Sequence, residues 1–222
     1  MYRTETHMHT TESSYCAHMP AEDVVRMHSE AGYKTIIITD HYHETYFSWK
    51  SDCWQERLDY LMEGYNNAKQ FEEKYNINIL FAIELKLEED KCDYLIYGIT
   101  ESFLRANLDL NFLTLDQLVT ICNDNGFLII QAHPFRTGQR PAPLKYSIPV
   151  EVFNGSPTNK GMNNNDKAKA YVEETGVIAV SGSDFHGPGD LATGGILTNT
   201  EIKTIEDFKR CILNREFTII ES

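Results

Sequence analysis

The sequence predicts an α/β fold on a mostly parallel sheet, open or closed into a barrel. Strand-like and helix-like segments alternate along the 222 residues, some strands are apolar on both faces, and chemically unusual residues recur at strand ends. RTETHMH opens as a strand, and the period of two puts His7 and His9 on one face. Pro20 opens the helix PAEDVVRMHSEAG, with acids in its first turn, Gly32 as its stop and His28 on its surface. YKTIIITD is a strand too apolar for a one-sided sheet. A loop from His41 to Ser51, holding His43, leads into a long helix from Trp54 to Tyr75. INILFAIEL and DYLIYGI are the next strands, and Thr114 caps a helix that Gly126 ends. FLIIQAH, PVEVFNG and GVIAVSGSD follow as strands, with a helix across Asp166–Thr175 between the last two. TIEDFKRCIL is a helix and FTII a closing strand.

This organisation reads as one domain over residues 1–222, its loose segment being TGQRPAPLKYS at 137–147, a loop over one face. Lysine and arginine total 20 against 33 acidic residues, a formal charge of −13. Nucleic acid is therefore not an expected partner, because such binding runs on neutralising phosphates with Lys and Arg. The five cysteines are scattered without a CxxC pair, as free thiols in a reducing cytosol would be. No apolar run approaches 18 residues, and no basic leader precedes an apolar stretch. A cytoplasmic protein that engages no membrane is the expectation.

His7 and His9 end the first strand, Asp40 and His41 the second, Glu84 the third and His133 the fifth, while Asp184 and His186 follow VIAVSGS. In a parallel sheet or barrel those ends share one mouth, where active sites form. Buried carboxylates and imidazoles in such number are costly unless a cation neutralises them, so the group predicts a metal site. Imidazole and carboxylate donors suit Zn, Mn or Fe in a hydrolytic centre. The donors exceed four, enough for more than one ion. Two ions about 3.5–4 Å apart, bridged by a carboxylate and a hydroxide, suit phosphate-ester hydrolysis.

In this order HMH, ITDH, the Glu of AIE, AHP and GSDFH resemble the PHP (polymerase and histidinol phosphatase) superfamily over nearly the whole chain. The resemblance implies a distorted (β/α)7 barrel holding one to three divalent ions at its mouth. It implies hydrolysis of a phosphate ester of a small metabolite, as in histidinol phosphatase, by a metal-bridging hydroxide. Carried over by position, His7, His9, Glu84 and Asp184 hold a first ion, and Glu84 bridges to a second shared with His133. His41 and His186 hold a third, with Asp40 fixing a ligand or loop; His186 or a metal-bound water protonates the leaving group.

Two positions depart from the family pattern. Tyr15 stands where a further ligand of the third ion is usual, with Cys16 and His18 beside it, either as substitutes or as residues lining the mouth. Thr100, in GITES, stands where a histidine ligand is usual. Arg136 in HPFR is a candidate phosphate clamp, its planar fork matching phosphate oxygens, and Arg140 is a weaker one. Tyr42, Tyr46, Phe47 and Trp49 form either a pocket wall or the core of their own loop, and Asn154 and Gly155 sit at the mouth. The rival readings are an amide or lactone hydrolase, and a noncatalytic metal-binding domain.

Overall fold

The computed structural model describes residues 1–157 and 160–222. Its strands are β1 (Tyr2–Glu5), β2 (Tyr33–Ile38), β3 (His41–Tyr42), β4 (Asn78–Lys86), β5 (Asp93–Tyr97), β6 (Leu128–Gln131), β7 (Val150–Asn154), β8 (Ala179–Gly182), β9 (Ile196–Thr198) and β10 (Phe217–Ile219). They form one 10-stranded sheet in the order β10-β9-β1-β2-β4-β5-β6-β7-β8, with β3 also on β4. The sheet is nearly closed. Beyond β1 and β8 the chain pairs Met8 with Phe185 in parallel, and His9 N–H donates to Phe185 C=O at 2.9 Å. Ser181 Oγ donates to Ile220 C=O at 2.6 Å, tying β8 to the end of β10. The result is the distorted barrel expected from the motifs.

Both faces of the sheet are buried, as IIIT predicts. Ile36 and Ile38 pack with Val24 and Val25 of α1 (Ala21–Glu30), while Ile37 packs with Leu95, Ile130 and Val180. The sheet is less uniformly parallel than predicted. β5 runs antiparallel to both β4 and β6, and β9 pairs antiparallel with β1 and β10. Direction is not written in a local apolar pattern, and all five residues of β5 are buried whichever way it runs.

Helix positions follow local chemistry. The Glu12 carboxylate accepts from the Ala21 N–H at the start of α1, where Pro20 has no donor to offer. α6 (Leu115–Asn125) has the predicted Thr114 cap, reinforced by Gln117, and ends on left-handed Gly126. The long helix divides into α3 (Trp54–Lys69) and α4 (Glu72–Tyr75), and the loop after His41 contains α2 (Glu44–Lys50). In α3, Gly64 lies against the segment after β1, where a Cβ would sit 2.0 Å from Thr10 Oγ1. Among the described residues no helix is long and apolar enough to cross a membrane.

His28 is not on the helix surface. Ala21, Val24, Val25 and His28 are the buried residues of α1, the spacing of one helical face. Its Nδ1–H donates to Val24 C=O at 2.8 Å, and the ring packs edge-on against Tyr33 and Phe185. Burial pushes its pKa down to about 4. The unfolded chain therefore binds a proton that the native state refuses. That stabilisation is complete above the unfolded imidazole value, near pH 6.5, and is lost as pH falls through 4. His28→Phe should remove about 2 kcal/mol of this pH dependence between pH 7 and 4.5, read by urea unfolding. Equal pH slopes in both proteins would contradict the assignment.

Candidate metal centre

The barrel mouth gathers the strand-end residues because the parallel strands deliver them there and the Met8–Phe185 pairing draws the first and last of these strands together. One donor atom from each of His7, His9 and Asp184 lies within 4.8 Å of the others; so do those of His7, Glu84 and His133, and those of His9, His41 and His186. Glu84 is the hub. Its Oε1 lies 3.4 Å from His7 Nε2 and 3.0 Å from His133 Nε2, and its Oε2 lies 3.4 Å from His9 Nε2 and 2.8 Å from His41 Nδ1. Asp184 Oδ1 lies 3.4 Å from His7 Nε2 and 3.2 Å from His9 Nε2.

Backbone geometry supports these placements. His133 and Asp184 have φ of 28° and 52°, unusual for residues with a Cβ and typical of side chains aimed by their surroundings. Asp40 accepts from Thr10 N–H (2.8 Å), Thr10 Oγ1 (2.8 Å) and Ser14 Oγ (2.7 Å), so it fixes the loop that follows His9.

Residues that the strand-end pattern does not reveal hold the rings. Glu151 Oε1 lies 2.9 Å from His7 Nδ1, which turns His7 Nε2 toward Glu84 and Asp184. Glu151 Oε2 accepts from His133 N–H at 3.0 Å and from Asn154 Nδ2 at 2.9 Å. Gln139 Oε1 meets His133 Nδ1 at 3.2 Å, and its amide donates to Asp93. Glu151 interrupts an apolar strand, PVEVF, and a buried charge there was the signal available. Asp93 begins β5, and only the antiparallel course of that strand brings its first residue to the mouth.

The electrostatics call for positive charge. Burial opposes ionisation of Glu84 and Asp184, yet the neighbouring imidazoles, joined at Asp184 by Arg136, hold both well below the usual carboxylate range. Burial likewise opposes protonation of His7, but Glu151, Asp184 and Glu84 outweigh it and raise that ring well above its ordinary value. His9 goes the other way, lowered by burial and by His41 and His186. His7 Nε2 and His9 Nδ1 are buried without hydrogen-bond partners, and His7 Nε2 and His9 Nε2 converge on Glu84 and Asp184. Nitrogen and oxygen donors gathered in this way fit divalent ions.

A cavity of about 430 Å³ opens onto the cluster, lined in part by Glu84, Lys86, Asp93, Arg136, Asp184 and His186. Arg136 donates to Asp184 Oδ2 at 2.6 Å and, through Nε, to Asn163 Oδ1 at 2.8 Å. Arg140 is exposed and absent from that wall. The aromatic group divides: Tyr42 and Phe47 pack with Trp54 in the core, whereas Tyr46 and exposed Trp49 stack on Tyr15 at the rim. Cys16 and His18 also part company. Cys16 faces His41 and His186, while His18 is exposed beside Gly187 on a neighbouring cavity; neither joins a donor group among the described residues. Thr100 caps α5 (Glu101–Ala106) through Phe103 N–H, so it has a structural role of its own.

No protein-family model matches the chain, and no curated protein matches it. Solved structures do. PsfC from Pseudomonas syringae superposes with a TM-score of 0.71 at 17% identity, over 100% of this chain and 93% of that one. A two-domain protein from Bacteroides vulgatus, containing a predicted PHP-like metal-dependent phosphoesterase, gives 0.68 at 12% identity, over 99% of this chain and 64% of that one. PfuEndoQ, a lesion-specific endonuclease from Pyrococcus furiosus, gives 0.58 at 14% identity, over 98% of this chain and 57% of that one. The chain thus shares its fold with solved proteins, one of which contains a predicted PHP-like metal-dependent phosphoesterase.

Proposed function

We propose that the chain is a divalent-metal-dependent phosphoesterase of the PHP superfamily, a single domain that hydrolyses a phosphate ester of a small metabolite. The observation that carries this reading is the convergence of buried His7 Nε2 and His9 Nε2 on the Glu84 and Asp184 carboxylates, with His133 Nε2 also on Glu84, at the mouth of this barrel. Zn, Mn or Fe ions bound there would neutralise the carboxylates, polarise a phosphoryl group and activate water. His7, His9, Glu84 and Asp184 would hold one ion, Glu84 and His133 a second, and His41 and His186 a third.

The chain's own contribution is orientation. Glu151 and Gln139 set the His7 and His133 rings. Arg136, anchored to Asp184 and Asn163, presents a guanidinium at the cavity wall, suited to an anionic oxygen. Lys86, with Nζ 3.9 Å from Asp93, adds a cation to that wall. His186 Nδ1 donates to Asp184 C=O at 2.7 Å, and its Nε2 faces Cys16, which suits a ligand better than a proton donor to a leaving group. Arg136→Ala should raise KM for a phosphorylated substrate by about 10- to 100-fold, the worth of one or two charge-assisted hydrogen bonds. An unchanged KM in steady-state kinetics would reduce Arg136 to a partner of Asp184.

Phosphate release by Mn- and Zn-loaded protein over phosphomonoesters, small phosphodiesters and single-stranded DNA, beside chelated protein, tests the function. Chelator-sensitive turnover of small esters is expected. Turnover confined to DNA would replace the substrate class, as the endonuclease fold neighbour makes worth testing. Turnover of amides or lactones alone would favour that rival chemistry. Bound metal without any turnover would leave a metal-binding domain.

A further inference from the structure

We infer that Tyr15, Tyr46 and Trp49 form a stacking platform for a planar aromatic ring on the alcohol portion of the ester. This names the substrate class of the same mouth and rests on the phosphoesterase reading above. Rings follow one another from the buried donors to the solvent. His9 stacks 4.1 Å from His41, His41 lies 4.7 Å from Tyr46, Tyr46 lies 4.4 Å from Tyr15, and Tyr15 lies 4.7 Å from Trp49. The series begins at a fully buried imidazole and ends at Tyr15 and Trp49, which are 54% and 70% exposed. Tyr15 and Tyr46 line the same cavity as Arg136 and Lys86. A phosphoryl group seated by Arg136 therefore has these rings beside its ester arm.

The exposed rings are not needed for the core of their own segment. Phe47 is the buried residue of α2, and it packs edge-on against Tyr42 and Trp54. Tyr46 and Trp49 stand one helical turn apart, and Tyr15 lies across both. Aromatic surface left in water is unfavourable, and rigid amphipathic rings of this kind are typical of contact surfaces.

The rings are also held in place before any ligand arrives. The Tyr46 hydroxyl donates to Cys16 Sγ at 3.2 Å. His43 Nδ1 accepts from Thr45 N–H at 2.9 Å and so starts the helix that carries Tyr46 and Trp49. Little ordering remains to oppose binding. Such a platform selects a flat ring over a saturated one of the same size, because offset stacking adds to the burial of area.

The test is calorimetric binding of two non-hydrolysable probes, benzylphosphonate and cyclohexylmethylphosphonate, to zinc-loaded protein. Both carry a phosphonate, a methylene and a six-membered ring, and they differ in planarity. Benzylphosphonate should bind about 3- to 10-fold more tightly, the worth of one aromatic pair. Tyr15→Ala and Trp49→Ala should each reduce that preference and the double variant should abolish it, with circular dichroism confirming that each folds. Leu213→Ala, at an exposed position on the helix Ile205–Asn214, should retain it. Equal affinities in wild type, or a preference that survives in the double variant, would overturn the platform and leave the phosphoesterase reading standing. Binding of neither probe, with zinc shown bound, would overturn that reading and the platform with it.

Discussion

Glu84→Gln is expected to strip the mouth of most of its metal and to lower ester hydrolysis by at least about 100-fold, more than the loss of a supporting residue usually costs. The substitution changes almost no volume. It removes one buried charge that contacts four rings: His7 and His133 through Oε1, and His9 and His41 through Oε2. Glu84 belongs with His7 and His133 and also touches both of the other donor groups, so no ion bound here is independent of it. Metal analysis after gel filtration, paired with phosphate release, reads the effect. Wild-type metal content in the folded variant would remove Glu84 from the centre.

Gly182→Ala should be the most damaging single methyl group in the chain's parallel strands. A Cβ there would lie 2.5 Å from His7 Cβ, 2.6 Å from Glu151 Oε1 and 3.0 Å from Thr6 Oγ1. The first of these neighbours is held by backbone and cannot swing away. Gly182 also pairs with Asn154 across β7 and β8, which leaves the strand little room to retreat. Overpacking at such a site costs about 3 kcal/mol, and for a chain of this size that lowers Tm by about 6–12 °C. The displaced His7–Glu151 pair should weaken metal binding as well. Gly189→Ala, where a Cβ meets open space, is the control. Thermal unfolding with and without added zinc checks both, and equal Tm values in the two variants would contradict the packing described.

What the sequence made legible, and what it hid, follow from how each residue reaches the mouth. His7, His9, His41, Glu84, His133, Asp184 and His186 stand at or just past strand ends, so period, apolar runs and chain order sufficed to bring them together. Asp93 escaped because that reasoning takes C-terminal ends, and β5 runs the other way. Glu151 escaped because it lies inside a strand, reaching His7 across 144 residues of sequence. Gln139 came from a segment read as a loose loop, whose backbone carries it to His133 and Asp93. His28 was readable: it falls on the same helical face as Val24 and Val25, and burial made that face decisive over the polarity of the side chain. The division between Tyr42 with Phe47 and Tyr46 with Trp49 depends on α2, whose turn sends alternate aromatics to core and rim.

The most direct measurement is a crystal structure of zinc-loaded protein with anomalous scattering recorded at the zinc edge. The account predicts anomalous peaks among His7, His9, Glu84, His133 and Asp184, with a further peak beside His41 and His186. Well-ordered rings in the arrangement described, with no anomalous density among them at saturating zinc, would contradict it.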